Sequence, residues 1–215
     1  MTEIITNRPI DNNVLEVIKD TLEESKGIKV LNIFVQDNDV YGIYLNSLQH
    51  SLSFLQMPEL SINTEIDGHY IIFIELGFLL RNIYQKGAMS LYNWLHMNSA
   101  ISCDNDKLYN DLVQCVKENP PLYIAKSVIM SHFDEVIDSN DEKKILKLVQ
   151  QLRDLDNFEN WGIEIDDSID DINDIIRIKN TLSVLKQTLL DTKYDKISEK
   201  KMNDINDLYV SLQLI

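Results

Sequence analysis

The chain is short of glycine, proline and cysteine, with six, four and two of them in 215 residues, and the shortages of glycine and cysteine each argue against a class of function. The six glycines make no glycine-rich turn of the dinucleotide or phosphate-loop kind, so those nucleotide-gripping devices are not available. Cys103 and Cys115 have eleven residues between them and no second Cys or His at zinc-ligand spacing, which argues against a zinc site. Positive charge is also scarce. Twenty basic side chains face 35 acidic ones, a net charge of −15, and a field of that sign repels phosphates and anionic membranes unless a local basic patch overrides it. The densest basic group, Lys143, Lys144 and Lys147, has the spacing of an ordinary solvated helix face. Direct nucleic-acid binding and membrane binding are therefore not expected. No apolar run approaches the roughly 20 residues of a membrane span, and the N-terminus has no apolar stretch of the signal-peptide kind. A soluble, cytoplasmic protein is expected.

What is present begins with a helix. Asp11, Asn12 and Asn13 offer an N-cap, Val14, Leu15, Ile18 and Leu22 recur at helical spacing, and Gly27 stops the run. Two β-rich runs follow, Ile28 to Val35 and Val40 to Leu45, around the polar cluster Gln36-Asp37-Asn38-Asp39, which reads as strand, tight turn, strand. Ser51 to Gln56 alternates well enough for a third strand, closed by Pro58, and Asp67-Gly68 is a turn signal. Tyr70 to Ile74 reads as a further strand, and Leu76, Leu79, Leu80 and Ile83 as helical. Helices are then predicted over Ala88–His96, Lys107–Lys117, Pro121–Ile137, Asp141–Leu155, Ser168–Leu190 and Ser198–Leu212. The fold class implied is α+β: a small mixed β-sheet flanked by helices, then an α-helical C-terminal region. The expected division is 1–138 and 139–215, with a hinge at Ser139-Asn140.

In its front half the order of these features resembles the polymerase-β-type nucleotidyltransferases, in the branch with a GS…DYDVRGIY motif. Asp37-Asn38-Asp39-Val40-Tyr41-Gly42-Ile43-Tyr44-Leu45 is similar to that motif's second part, and Leu52 to Leu55 to the strand after it. Glu75-Leu76 with Leu79-Leu80-Arg81 is similar to the family's E.RKFLRLL helix. Gln85-Lys86-Gly87 and Leu91 to Leu95 are similar to its KGNP…E.L region. The resemblance implies a nucleotidyltransferase-like domain in which Asp37 and Asp39 are the metal-binding and catalytic carboxylates. The departures imply lost chemistry. There is no Gly-Ser dipeptide anywhere, so the backbone and hydroxyl grip on a triphosphate is missing. The place of the third carboxylate offers Tyr70 or His69, with Glu65 and Asp67 nearby only on the turn side. Two carboxylates alone bind Mg²⁺ weakly, because such sites borrow ligands from substrate phosphates, so no cofactor is expected beyond weak Mg²⁺ at Asp37 and Asp39. An EF-hand is excluded as well, since Leu48 stands where a bidentate Glu is needed. His50, His69, His96 and His132 share no ligand spacing and read as structural or surface residues.

The remaining signal is acidic. From Asp154 through Asp156, Glu159, Glu164, Asp166, Asp167, Asp170, Asp171 and Asp174 there is no Lys or Arg until Arg177. Ile165, Ile169, Ile172 and Ile176 form an apolar helical stripe that leaves the aspartates on the exposed sides. Carboxylates one helical turn apart, about 5–6 Å, approximate the spacing of phosphates. Glu164, Asp166, Asp167, Asp170, Asp171 and Asp174 are thus a candidate surface for a basic, nucleic-acid-binding partner protein, against the alternative of a dipole-favoured, solubilising helix start. With a composition rich in Asn, Ile, Asp, Lys and Tyr, of the kind an AT-rich phage or bacterial genome encodes, the reading is a non-catalytic binding protein, in function an inhibitor of host defence. The alternative is an active Mg-dependent nucleotidyltransferase acting on RNA or protein through Asp37 and Asp39.

Overall fold

A computed structural model describes residues 10–47, 59–66, 68–101, 107–159 and 172–214. The architecture is α+β, with four strands and eight helices among these residues. The chain divides into two units. Unit 1 comprises residues 1–80, 95–118 and 200–215, and unit 2 comprises 81–94 and 119–199. The expected break at 138/139 lies inside unit 2, and the C-terminal residues return to unit 1.

Unit 1 begins with helix α1 (Asn12–Lys26). Its N-cap is Asp11, whose carboxylate accepts the Val14 N–H at 3.0 Å, and Gly27 closes it in the left-handed region at φ 63°. Strands β1 (Ile28–Gln36) and β2 (Asp39–Asn46) form an antiparallel hairpin, and β3 (Ser61–Ile66) and β4 (His69–Glu75) form another. The two hairpins join through parallel pairing of β2 with β4, giving a mixed sheet of order β1-β2-β4-β3. The expected strand over Ser51 to Gln56 lies outside the described residues. The strand observed, β3, lies just before Asp67-Gly68 in the sequence, and in it Ile62, Thr64 and Ile66 alternate with Ser61, Asn63 and Glu65.

One face of the sheet packs on α1. Leu15, Ile18 and Leu22 of the helix meet Ile28, Val30, Ile33, Val40, Tyr44, Ile62, Ile71 and Phe73 in a common core. The inward set on β1 switches from even to odd numbers between Val30 and Ile33 because the register shifts there, a bulge that places one extra residue, Leu31, in the strand. The carboxylate of Glu23 on α1 accepts the Val30 N–H at 2.9 Å beside this bulge.

The central seam of the sheet is tight. Gly42 on β2 is paired with Phe73 on β4, and a Cβ at Gly42 would fall 2.3 Å from the Phe73 ring, which is fully buried. Helix α2 (Leu76–Lys86) follows β4 without a loop. The buried Glu75 carboxylate accepts the Phe78 N–H at 2.7 Å in its first turn. Helix α3 (Met89–Trp94) and helix α4 (Lys107–Glu118) come next. The chain before α4 bridges back to β1, with Ala100 N–H on the Ile33 carbonyl at 2.7 Å.

Unit 2 is helical. Helices α5 (Leu122–Ile137), α6 (Glu142–Glu159) and α7 (Ile172–Asp191) carry buried stripes at three- and four-residue spacing: Ala125, Ile129, Phe133 and Val136, then Ile145, Leu148, Val149, Leu152 and Leu155, then Ile178, Leu182 and Leu189. Helix α5 packs against both α6 and α7. Helix α8 (Glu199–Gln213) completes unit 1: Tyr209 donates to Glu75 at 3.3 Å, its ring occupying space that the absent side chain of Gly77 leaves. Among the described residues no helix is long and apolar enough to cross a membrane.

Gly42→Ala is expected to cost about 1–3 kcal/mol through overpacking, read as a lower urea midpoint. Phe73→Leu in the same chain is expected to recover part of that loss, a coupling absent if the two sites are independent.

Candidate functional site

Asp37 and Asn38 are the two residues of the β1–β2 turn, and both adopt positive φ, 52° and 69°. With Gln36 paired to Asp39 across the hairpin mouth, this is the two-residue turn of I′ type, for which Asp and Asn are suited because they tolerate the left-handed region. Asp37 is exposed at the tip and Asp39 is half-buried at the start of β2. The sequence cluster therefore makes the turn.

Strand register defines what lies around it on the sheet face opposite α1. Continued by one residue, the β2–β4 pairing sets Tyr70 beside Asp39, and Glu65 is paired with Tyr70 on β3. The row across the sheet is Gln36, Asp39, Tyr70, Glu65. The next row is Phe34, Tyr41, Ile72, Asn63. Phe34 stacks on Tyr41 with ring centroids 5.6 Å apart and planes 11° from parallel. Burial falls along this face toward the turn: Ile43 and Ile74 are buried, Tyr41 and Ile72 half-buried, and Tyr70, Glu65 and Asn63 exposed, with Tyr70 at 49%.

These positions separate Glu65, a possible third ligand, from the expected pair Asp37 and Asp39. Glu65 lies two strands from Asp39, roughly 10 Å between backbones at the usual inter-strand spacing, with the Tyr70 ring between, whereas Mg²⁺ ligands sit about 2.1 Å from the ion. Asp67 lies outside the described residues. Glu75, a buried carboxylate of β4, pairs opposite Tyr44, five residues along β2 from Asp39, and is used as a cap for α2. Among the described residues no three His, Cys, Asp or Glu side chains are grouped as a metal site. What the geometry does assemble is an anionic corner with aromatic faces. Burial, then the charges of Asp39 and Asp37, then Tyr70, raise the Tyr41 phenol above its ordinary pKa of 10.0.

The acidic stretch is described only at its ends. Glu164, Asp166, Asp167, Asp170 and Asp171 lie outside the described residues. Asp174, in the first turn of α7, pairs with Arg177 at 3.2 Å. Asp154 on α6 accepts a hydrogen bond from Gln150 at 3.0 Å, and its carboxyl pKa is raised by burial, with that bond acting in the opposite direction. The basic group on α6 is also partly compensated, Lys144 lying 3.8 Å from Glu135. Of the histidines, His69 is buried, His132 bonds Gln151 at 3.0 Å, and His96 has its pKa lowered by burial and by Lys117; His50 lies outside the described residues. Cys103 does too, and Cys115 is half-buried with its thiol pKa raised by burial and by Asp204.

The chain matches no protein-family model, no curated protein and no solved structure. Its site is read from its own residues. Sequence reasoning identified Asp37, Asp39 and Glu65 as carboxylates but not the aromatic row; Tyr41 and Tyr70 carry no local signal, and only the parallel β2–β4 register brings them together.

Two outcomes follow. In Asp37→Asn/Asp39→Asn, the Tyr41 phenol is expected to titrate closer to 10, read by phenolate absorbance against a Tyr41→Phe subtraction. Because the folded protein holds that proton more tightly than the unfolded chain, its contribution to stability is full below pH 10 and falls as pH rises past it; the double variant is expected to flatten that fall. Asp154→Asn is expected to raise the urea midpoint at pH 7, where the unfolded carboxyl is ionised and burial opposes ionisation in the fold. That gain is expected to shrink as pH falls below about 4, where the unfolded carboxyl is protonated too.

Proposed function

We propose that the protein is a non-catalytic binding protein, built on a degenerate nucleotidyltransferase-type domain, that engages a basic partner protein through an acidic surface. The observation that carries this reading is the corner where strand register sets Tyr70 between Asp39 and Glu65, with Asp37 in the turn beside Asp39 and Tyr41 in the next row. A carboxylate set spread over about 10 Å suits several cations on a partner surface better than one metal ion. Tyr70, half exposed between two of the carboxylates, offers a ring face on which a guanidinium or ammonium group can rest. The net charge of −15 steers such a partner over long range, and the steering weakens with salt. The acidic run Glu164 to Asp174 repeats the same charge elsewhere in the sequence. A nucleic-acid-binding protein of the host, of the kind that serves in defence against phage, has the matching cationic chemistry.

The test is affinity capture from lysate of the natural host, comparing the wild-type chain with Asp37→Asn/Asp39→Asn/Glu65→Gln at low and high salt. A stoichiometric basic protein is expected, released at high salt and held at least tenfold less tightly by the triple variant, about 1.4 kcal/mol. Mg-NTP turnover by the wild-type chain that is lost in Asp37→Ala/Asp39→Ala would overturn the reading in favour of a transferase.

A further inference from the structure

Among the described residues strand β3 is an outer strand of the sheet. Among the described residues no strand pairs with its outer side, and Ser61-Ile62-Asn63-Thr64-Glu65-Ile66 has no Pro, no Lys and no register shift against β4, the devices by which natural edges discourage pairing. The Leu60 carbonyl accepts the Glu75 N–H at 3.1 Å. In an antiparallel ladder the bonding alternates, so the even-numbered residues of β3 turn their backbone toward β4, and Ser61, Asn63 and Glu65 turn their N–H and C=O outward. Beside this edge runs a groove of about 470 Å³ between β3 and α1, lined by Thr21, Leu22 and Ser25 of the helix and by Ile62, Thr64 and Ile66 of the strand. The Lys26–Glu59 ion pair, at 2.9 Å, stands at one end.

We infer that the β3 edge with its α1 groove is a strand-addition site for an extended, lysine- or arginine-bearing segment of the partner, side chains alternating between the groove and the acidic face. This deepens the proposed function and rests on it. Backbone pairing to Ser61, Asn63 and Glu65 supplies the affinity, and alternation supplies the choice of sequence. Residues of the incoming strand that oppose Ile62, Thr64 and Ile66 enter the groove, where small or β-branched side chains fit. Those that oppose Asn63 and Glu65 lie on the other face, where a cation meets the Glu65 carboxylate and, one strand further, the Tyr70 ring. Charge complementarity selects this occupant over a second copy, since self-pairing brings together two chains of charge −15.

The probe is a capped seven-residue peptide of alternating lysine and valine, and the readout is amide hydrogen exchange by NMR. Peptide is expected to slow exchange at Ser61, Asn63 and Glu65 about tenfold or more while Ile62 and Thr64, already bonded to β4, stay unchanged. Asn63→Pro removes an outward N–H that the sheet does not use, and is expected to abolish binding; Glu65→Lys is expected to weaken it and reduce its salt dependence. If Asn63→Pro impairs folding, the same peptide methylated on alternate backbone nitrogens makes the test on the unaltered protein, and is expected not to bind.

Salt-sensitive binding that leaves the three amides exchanging and ignores the N-methyl groups overturns the edge site while leaving the acidic-surface reading standing. Edge protection that Glu65→Lys does not weaken overturns the cationic partner instead. Protection of the three amides in the free protein, or protection that grows with protein concentration, overturns the proposal in favour of the chain's own segment or a second copy. Absence of any peptide binding overturns it also, and the host-lysate capture then reports separately on the acidic-surface reading.

Discussion

The parallel pairing of β2 with β4 is the constraint from which the rest of unit 1 follows. Two antiparallel hairpins are each local and easily formed; joining them through their second strands takes a parallel register between residues distant in the chain. That seam is close-packed at Gly42, which has no side chain where the Phe73 ring lies. The pairing sets which residues become neighbours: Tyr70 beside Asp39, Glu65 beyond it, and β3 at the margin. The acidic corner and the open edge are two results of one packing decision.

The elements that the sequence made legible are those whose signals are local. Asp11 and Gly27 bracket α1 by capping chemistry, and Gln36-Asp37-Asn38-Asp39 between β-rich runs announces its hairpin. The helices of unit 2 follow from their apolar spacing to within a few residues. What was not legible depends on partners far away in the chain. The register shift beside Leu31 reverses the inward set of β1 and interrupts the two-residue alternation along Ile28 to Val35. Strand β3 has only two isoleucines among polar residues, because as an edge strand it buries little besides Ile62. Tyr41 and Tyr70 are 29 positions apart, and nothing near either residue announces that a parallel register will seat them together on one face.

For the site, the sequence located the carboxylates and misjudged their company. Asp37 and Asn38 accept backbone angles that most residues resist, so they serve the turn whatever else they do, and Asp39 is left to act on the sheet face. Carboxylates arranged around phenol rings make a surface that favours cations by field and by ring quadrupole together.

The joining of α8 to the sheet has a consequence in time. Tyr209 bonds Glu75, 134 positions earlier, and residues 200–215 belong with residues 1–80, whereas the bulk of unit 2 is encoded between them. A ribosome therefore delivers α1, all four strands and every helix of unit 2 before the last piece of unit 1 exists. During that interval the Glu75 carboxylate and the space beside Gly77 await their tyrosine, and synthesis of unit 2 sets how long the sheet waits for α8.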